Sequence, residues 1–330
     1  MTKKIGTKIL GTGSFFPDKI LTNADLEKIV DTSDEWITTR TGIKERRISQ
    51  EHTPTSELAY QASVQALKSA NISAAEIDLI VVATITPDMM CPSTACFLQN
   101  KFGIKTKPVF DLAAACSGFV YGIAVAKAFI ASGIYKKILL VGAEELSKIT
   151  DWTDRNTCVL FGDGAGAMVL SASEEQEEGI LSISLGADAS YWDLLYLPAG
   201  GTVNPASERT VKEKLHTIKM HGKEVFKVAV VKMAQVAEEA LILSGKSLDD
   251  IKLIIPHQAN MRIIEAVAKK IGLPMERVFV NIHKTGNISS ATTITALDEA
   301  IKCGKLQKGD IAELVAFGGG FTWGAAVIRI

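Results

Sequence analysis

The stretch VFDLAAACSG (109–118), followed by a helical pattern closing at ASG (131–133), is answered far along the chain by VFVNIHKTGN (278–287) and a pattern closing at KCG (302–304). Cys116 lies 17 residues before Gly133, and Asn287 lies 17 residues before Gly304. The two halves also close alike, with FGDGAGAMVL (161–170) matched by FGGGFTWGAAVI (317–328). One such match is chance, but an ordered series of strand, helix, strand and glycine turn indicates duplication. A duplicated chain folds as two similar units around one core, which would put Cys116 and Asn287 at pseudo-symmetric helix starts near its centre. The acidic SASEEQEEG (171–179) reads as a solvated turn between the units, giving halves at 1–172 and 173–330.

Apolar runs at 77–84, 109–113, 137–142, 251–257, 278–282 and 311–317 predict buried strands, and the patterns at 55–70 and 222–245 predict helices. Alternation of this kind specifies an α/β fold with largely parallel strands. With 330 residues, 47% of them hydrophobic, the chain can bury a large core. A net charge of −1 with mixed signs supplies no basic field for nucleic acid. Neither a leader-like segment nor an uncharged run long enough to span a membrane is present, so the expectation is a soluble, cytoplasmic protein. The five cysteines, Cys91, Cys96, Cys116, Cys158 and Cys303, are odd in number and lack CxxC spacing. That pattern argues against a disulfide framework or a metal site.

Three segments carry candidate chemistry. Cys116 sits at a predicted helix start, where unpaired N–H groups and partial positive charge shift a thiol toward thiolate, into the range of roughly pKa 3.5–7.5. The competing reading is a small buried hydrophobe. His257 and Asn260, in PHQANMRIIEAVAKKIG (256–272), follow a predicted strand at the end where α/β proteins place their chemistry; a capping or core histidine is the alternative. Asn287 precedes a serine-rich helix start, where a lone Asn is ordinarily an N-cap. The glycines of FGGG (317–320) form either a tight turn or a set of N–H donors for an oxyanion.

Taken in order, CSG, HQAN, HKTGN and FGGGFTWG resemble the β-ketoacyl-acyl-carrier-protein synthase III family of the thiolase superfamily, and the resemblance extends from TRTGIKERR (39–47) to the C-terminus. It implies a five-layered αβαβα thiolase-like fold with two duplicated halves, assembled as a homodimer. Cys116, His257 and Asn287 then form a catalytic triad, the N–H groups of Cys116 and Gly319 an oxyanion hole, and Phe317 part of the lining. The implied reaction moves an acyl group from acyl-CoA to Cys116 and condenses it with malonyl-acyl carrier protein, releasing carbon dioxide. Acyl-CoA is a substrate there, and no cofactor or metal is implied.

The same resemblance assigns CoA contacts to Thr32, Trp36, Arg40, Arg155 and Asn260, with Trp36 and Arg155 as walls for adenine. The spacing from Gly133 to Phe161 exceeds that from Gly304 to Phe317 by 15 residues, so Arg155 lies in an insertion unique to the first half. An acidic carrier protein would dock on Arg262, Lys269 and Lys270. Cys91 departs from the family pattern, which often has phenylalanine there, reaching across the dimer to close the partner's acyl pocket. From bare chemistry, a Cys-His-Asn set also suits a cysteine peptidase, although the local signature of those enzymes is missing. A thiolase would carry a second cysteine where Phe317 stands. A condensing enzyme priming a polyketide shares the same triad, and a non-catalytic acyl-binding relative is the remaining class.

Overall fold

The computed structural model describes residues 5–330; residues 1–4 of the expected first half lie outside them. Nine strands carry the architecture: β1 (Gly6–Phe15), β2 (Leu79–Ala83), β3 (Val109–Leu112), β4 (Lys137–Glu145), β5 (Asp163–Ser173), β6 (Gly179–Ala187), β7 (Leu253–Pro256), β8 (Ile311–Gly318) and β9 (Thr322–Arg329). Their order is β7-β8-β9-β6-β1-β5-β4-β2-β3. Because β6 joins β1 through the single pair Thr7–Gly179, this row divides into two sheets.

The two sheets repeat one design. In the first, β1 runs antiparallel to β5 and β5 antiparallel to β4, while β4, β2 and β3 are parallel. In the second, β6 runs antiparallel to β9, β9 antiparallel to β8, and β8 parallel to β7. The place of β3 is taken by a parallel bridge from Ile254 to Val278. Here the predicted strand at 278–282 is corrected. Phe279 N–H donates to Ile254 O at 2.9 Å, but Asn281 and Ile282 N–H turn to the Gln258 side-chain oxygen at 3.1 and 3.3 Å, and a short helix Ile282–Thr285 follows. A side chain that captures two successive backbone donors leaves none for a ladder.

Six helices matter for the site: α1 (Asp34–Thr41), α2 (Thr55–Ala70), α3 (Gly118–Ala131), α4 (Gly222–Ser244), α5 (Met261–Ile271) and α6 (Thr292–Lys302). Leu58, Ala59, Ala62 and Ala66 form the buried stripe of α2, which covers the outer face of the first sheet. Its counterpart α4 lays Ala229, Met233, Val236 and Ala240 on the outer face of the second, beside α5. Between the sheets lie α3 and α6, whose Phe119, Ile123, Ile130, Ile294 and Leu297 join residues of both sheets in one core. The sequence of α3, GFVYGIAVAKAFIA, carries one charge because it is covered on two sides. That charge, Lys127, lies close to β6, its ammonium donating to the carbonyls of Ile180 and Leu181 at 2.9 and 3.1 Å. The result is the five-layered αβαβα arrangement with two duplicated halves. Among the described residues, no helix is long and apolar enough to cross a membrane.

Glu313, in the middle of β8, shares the strand face of Ile311, Val315 and Phe317, which pack toward α4 and α5. It is fully buried, neither carboxyl oxygen has a hydrogen-bond partner among the described residues, and burial raises its pKa well above the ordinary value. A carboxyl whose folded-state pKa is raised holds its proton better when folded, so its favourable contribution is complete below about pH 4.5 and is lost as pH rises toward the folded pKa. We therefore expect Glu313→Leu to stabilise the fold by about 1–3 kcal/mol at pH 8 and by less at pH 5. Urea midpoints of both proteins at the two pH values check this, and a constant gap would contradict it.

Candidate active site

Strand β3 delivers the chain to a tight turn, Ala115–Ser117, that runs directly into α3 and holds Cys116. Ala115 adopts a left-handed φ of 46° there. The turn is held from the other half, since the Ser117 and Thr322 hydroxyls lie 2.6 Å apart and reach Ala114 O at 2.8 and 3.0 Å. At the end of β8, a β-carbon on Gly318 would stand 2.5 Å from Cys116 N, so only glycine lets that strand lie against the nucleophile's amide. Gly319 follows and lines the same cavity as Cys116, with Phe317 buried beside it.

His257 is the residue after β7, anchored by its N–H to Val315 O at 2.7 Å. Its ring is buried, with Nδ1 2.6 Å from Thr292 Oγ1 at the start of α6. Burial pushes its pKa down to about 3, so the imidazole is neutral at physiological pH. Asn260 also lines the cavity, but its side-chain oxygen accepts from Arg262 N–H at 2.9 Å and caps α5.

Asn287 is fixed by its backbone. Its N–H donates to Leu160 O at 2.8 Å, and its carbonyl accepts from Gly162 N–H at 3.0 Å. Its side-chain oxygen accepts from Ser289 N–H at 2.8 Å, which leaves the amide NH2 as the group available to a ligand. The partner segment is pinned in turn by the fully buried Arg46, whose guanidinium donates to Val159 O and to the Asn23 side-chain oxygen. Arg46 was missed in the sequence because it reads there as one charge in a basic run. The expected symmetry of Cys116 with Asn287 is also corrected. The residues that match in conformation are Ala115 and Ser289, both left-handed at φ 46° and 48° and both opening a turn into a central helix. On that match Ser290 corresponds to Cys116, and Asn287 lies just ahead of its turn. The 17-residue spacings agree by coincidence of lengths, α3 having 14 residues and α6 having 11.

Cys116, His257, Asn287, Phe317 and Gly319 face one cavity of about 330 Å³, walled otherwise mainly by apolar side chains such as Leu146, Leu195 and Met220. This apolar wall overturns the expectation of a thiol held near thiolate. Burial pushes the Cys116 thiol up to about 12, and the charge of Glu144 adds to the rise, while the Ser289 hydroxyl and a backbone hydrogen bond oppose it. Desolvation is the largest of these influences on the thiol.

Around the outer cluster that contains Leu160, Phe161 and Ile218, the half-buried Trp36 has the guanidinium of Arg40 4.9 Å and that of Arg155 5.0 Å from its ring centroid. Arg155 also donates to Asp31 O at 2.7 Å. The Thr32 hydroxyl is buried without a partner among the described residues. Arg262, Lys269 and Lys270 are exposed on α5, opposite its buried Ile263, Ile264 and Val267. Cys91 is exposed and does not line this cavity.

A thiol, a neutral imidazole and an oriented amide around one apolar cavity, in a duplicated αβαβα fold, describe the class of condensing acyltransferases. Two family matches agree: 3-oxoacyl-[acyl-carrier-protein (ACP)] synthase III over residues 110–189, and its C-terminal counterpart over residues 241–330. The β-ketoacyl-[acyl-carrier-protein] synthase III of Caldanaerobacter subterraneus is 54% identical over 329 residues, covering 100% of this chain and 99% of that one. The crystal structure of the synthase III from Aquifex aeolicus superposes with a TM-score of 0.91 at 50% identity, covering 98% of this chain and 100% of that one. A priming β-ketosynthase from the R1128 polyketide pathway gives a TM-score of 0.92 at 32% identity, covering 100% of this chain and 98% of that one. The chain belongs to the β-ketoacyl-[acyl-carrier-protein] synthase III family, and it is a condensing acyltransferase of fatty acid synthesis.

The raised thiol sets a measurable pH dependence. Alkylation of Cys116 by iodoacetamide, followed by peptide mass spectrometry, should accelerate about tenfold per pH unit from pH 6 to 9 with no plateau. A rate that levels off near neutrality would show a thiolate already formed.

Proposed function

We propose that this enzyme takes an acyl primer from acyl-CoA onto Cys116 and condenses it with malonyl-acyl carrier protein, giving β-ketoacyl-acyl carrier protein and carbon dioxide as the first step of type II fatty acid synthesis. The observation that carries this reading is that Cys116, a neutral His257 and the donor side of Asn287 converge on one cavity. In the first step the Cys116 sulfur attacks the acyl thioester carbonyl, and CoA leaves as its thiol with the proton that Cys116 gives up. The N–H groups of Cys116 and Gly319 hold the tetrahedral oxyanion, each such donor contributing about 2.7–4 kcal/mol. In the second step the malonyl C–C bond breaks, carbon dioxide leaves with no base required, and the resulting carbon attacks the acyl-cysteine carbonyl; the acyl C–S bond then breaks, and the Cys116 sulfur leaves as thiolate and takes a proton from solvent to restore the thiol. His257 Nε2 and Asn287 Nδ2 donate to the malonyl thioester oxygen as it gains enolate charge. Phe317 helps keep water from the carboxylate.

A histidine whose pKa is pushed down to about 3 is a poor base for a thiol, which disfavours the peptidase reading. Polyketide priming is the second reading, supported by the likeness to the R1128 ketosynthase, which is the more distant of the relatives described. On this proposal Trp36 and Arg155 hold adenine, Arg40 a phosphate, and Thr32 and Asn260 polar groups of CoA. Thr32 is supported by its unpartnered hydroxyl. Arg262, Lys269 and Lys270 meet the acidic carrier protein, and acyl-CoA serves as substrate with no further cofactor. The proposal also includes a homodimer in the cytoplasm, the latter supported by five unpaired cysteines.

Two experiments follow. Incubation with acyl-CoA should add the acyl mass to Cys116; Cys116→Ala should abolish this, whereas His257→Ala and Asn287→Ala should retain acylation and lose malonyl decarboxylation by on the order of a hundredfold or more. Condensation at the wild-type rate in either of the latter variants would remove that residue from the mechanism. At Cys91, a thiol in place of a phenyl ring deepens the partner's acyl pocket, each further buried methylene favouring a longer primer by about 0.8 kcal/mol. We expect the wild type to accept isobutyryl- and hexanoyl-CoA beside acetyl-CoA, and Cys91→Phe to narrow that range in kcat/KM. A wild type confined to acetyl-CoA, unmoved by the substitution, would refute the assignment.

A further inference from the structure

A neutral imidazole carries one proton, and its position decides what His257 can do. With the proton on Nε2 the ring donates a hydrogen bond into the cavity; with the proton on Nδ1 it presents a lone pair there and becomes a base toward Cys116. Among the described residues the ring has one side-chain hydrogen-bond partner, Thr292 Oγ1, 2.6 Å from Nδ1. Both residues are almost fully buried, so solvent does not compete for this contact.

The Thr292 hydroxyl has one proton and two acceptors in reach, His257 Nδ1 at 2.6 Å and Ser289 O at 3.0 Å. Ser289 O already accepts the backbone N–H of Thr292, so it is satisfied without the hydroxyl. Among the described residues Nδ1 has no other side-chain donor, and its contact is the shorter. We propose that Thr292 donates its hydroxyl proton to Nδ1 and thereby holds His257 as the Nε2–H tautomer, making Thr292 a positioning residue for the enolate-stabilising hydrogen bond. The proposal rests on the condensing reading above for its consequence, but the tautomer itself is independent of that reading. Its placement is built into the fold: β7 ends one residue before the histidine, the first residue of α6 supplies the hydroxyl, and the left-handed Ser289 directs the chain into that helix.

The test uses the full-length enzyme labelled with 15N-histidine, with His257 assigned by the resonance lost in His257→Ala. Long-range 1H–15N correlation should show the wild-type ring protonated at Nε2 and bare at Nδ1, an outcome that needs no variant. An Nδ1–H ring in the wild type would overturn the proposal outright. Thr292→Val keeps the shape and removes the donor. It should shift the tautomer toward Nδ1–H and lower malonyl decarboxylation on the order of a hundredfold, with Cys116 acylation falling no more than about threefold. Thr292→Ser, which restores the hydroxyl, should restore both the tautomer and the rate. A Val variant with unchanged tautomer and unchanged decarboxylation would also overturn the proposal. Failure of the wild type to acylate Cys116 from any acyl-CoA would instead count against the condensing reaction, leaving the tautomer measurement to stand by itself.

Discussion

Everything at the site depends on burying α3 and α6 between two sheets. Each fully buried Phe, Ile or Leu contributes about 1.5–3 kcal/mol, and the positions at Phe119, Ile123, Ile130, Ile294 and Leu297 are all of this kind. Against that, the two left-handed residues that admit the chain to these helices, Ala115 and Ser289, cost about 1–2 kcal/mol each. Packing wins by a wide margin, so the strained turns persist. Both helix starts are then forced toward the same interior region, and the groups carried on their turns meet across the duplicated core.

That meeting is locked by contacts between distant parts of the chain. Asn287 is clamped to Leu160 and Gly162, Arg46 ties the neighbouring Val159, and the Ser290 hydroxyl lies 2.8 Å from Ala83 O and 3.0 Å from a Glu144 carboxyl oxygen. Thr322 reaches back to the turn before Cys116. A half-satisfied polar group in such surroundings costs about 1–3 kcal/mol, so each contact resists displacement. The rigidity suits a reaction in which charge develops on a thioester oxygen, because donors already in place need no reorganisation as that charge appears.

Burial also sets the protonation states. It raises the Cys116 thiol and lowers the His257 imidazole, so both are neutral before substrate arrives. A neutral pair avoids placing isolated charges in an apolar cavity, and it suits the two roles proposed for them, attack by sulfur and hydrogen-bond donation by the histidine. The apolar wall that makes the thiol hard to ionise is also the wall that the proposed acyl chain would pack against.

The layering and the repeat are legible in the sequence because hydrophobic period and glycine punctuation are local. Cys116, His257 and Asn287 stood out for the same reason, each lying in a short pattern at a predicted element boundary. The run at 278–282 misled because Gln258, twenty residues earlier in the chain, takes the N–H groups that a strand would have used. Arg46 and Thr292 carry no local signal; their importance lies in Val159 and His257, which are remote in the chain and adjacent in space. Sequence by itself thus determined the fold class and marked the candidate reactive groups. Tertiary structure alone decided their charge and which side of Asn287 faces the cavity, since desolvation and hydrogen-bond partners are properties of a packed neighbourhood and not of a stretch of chain.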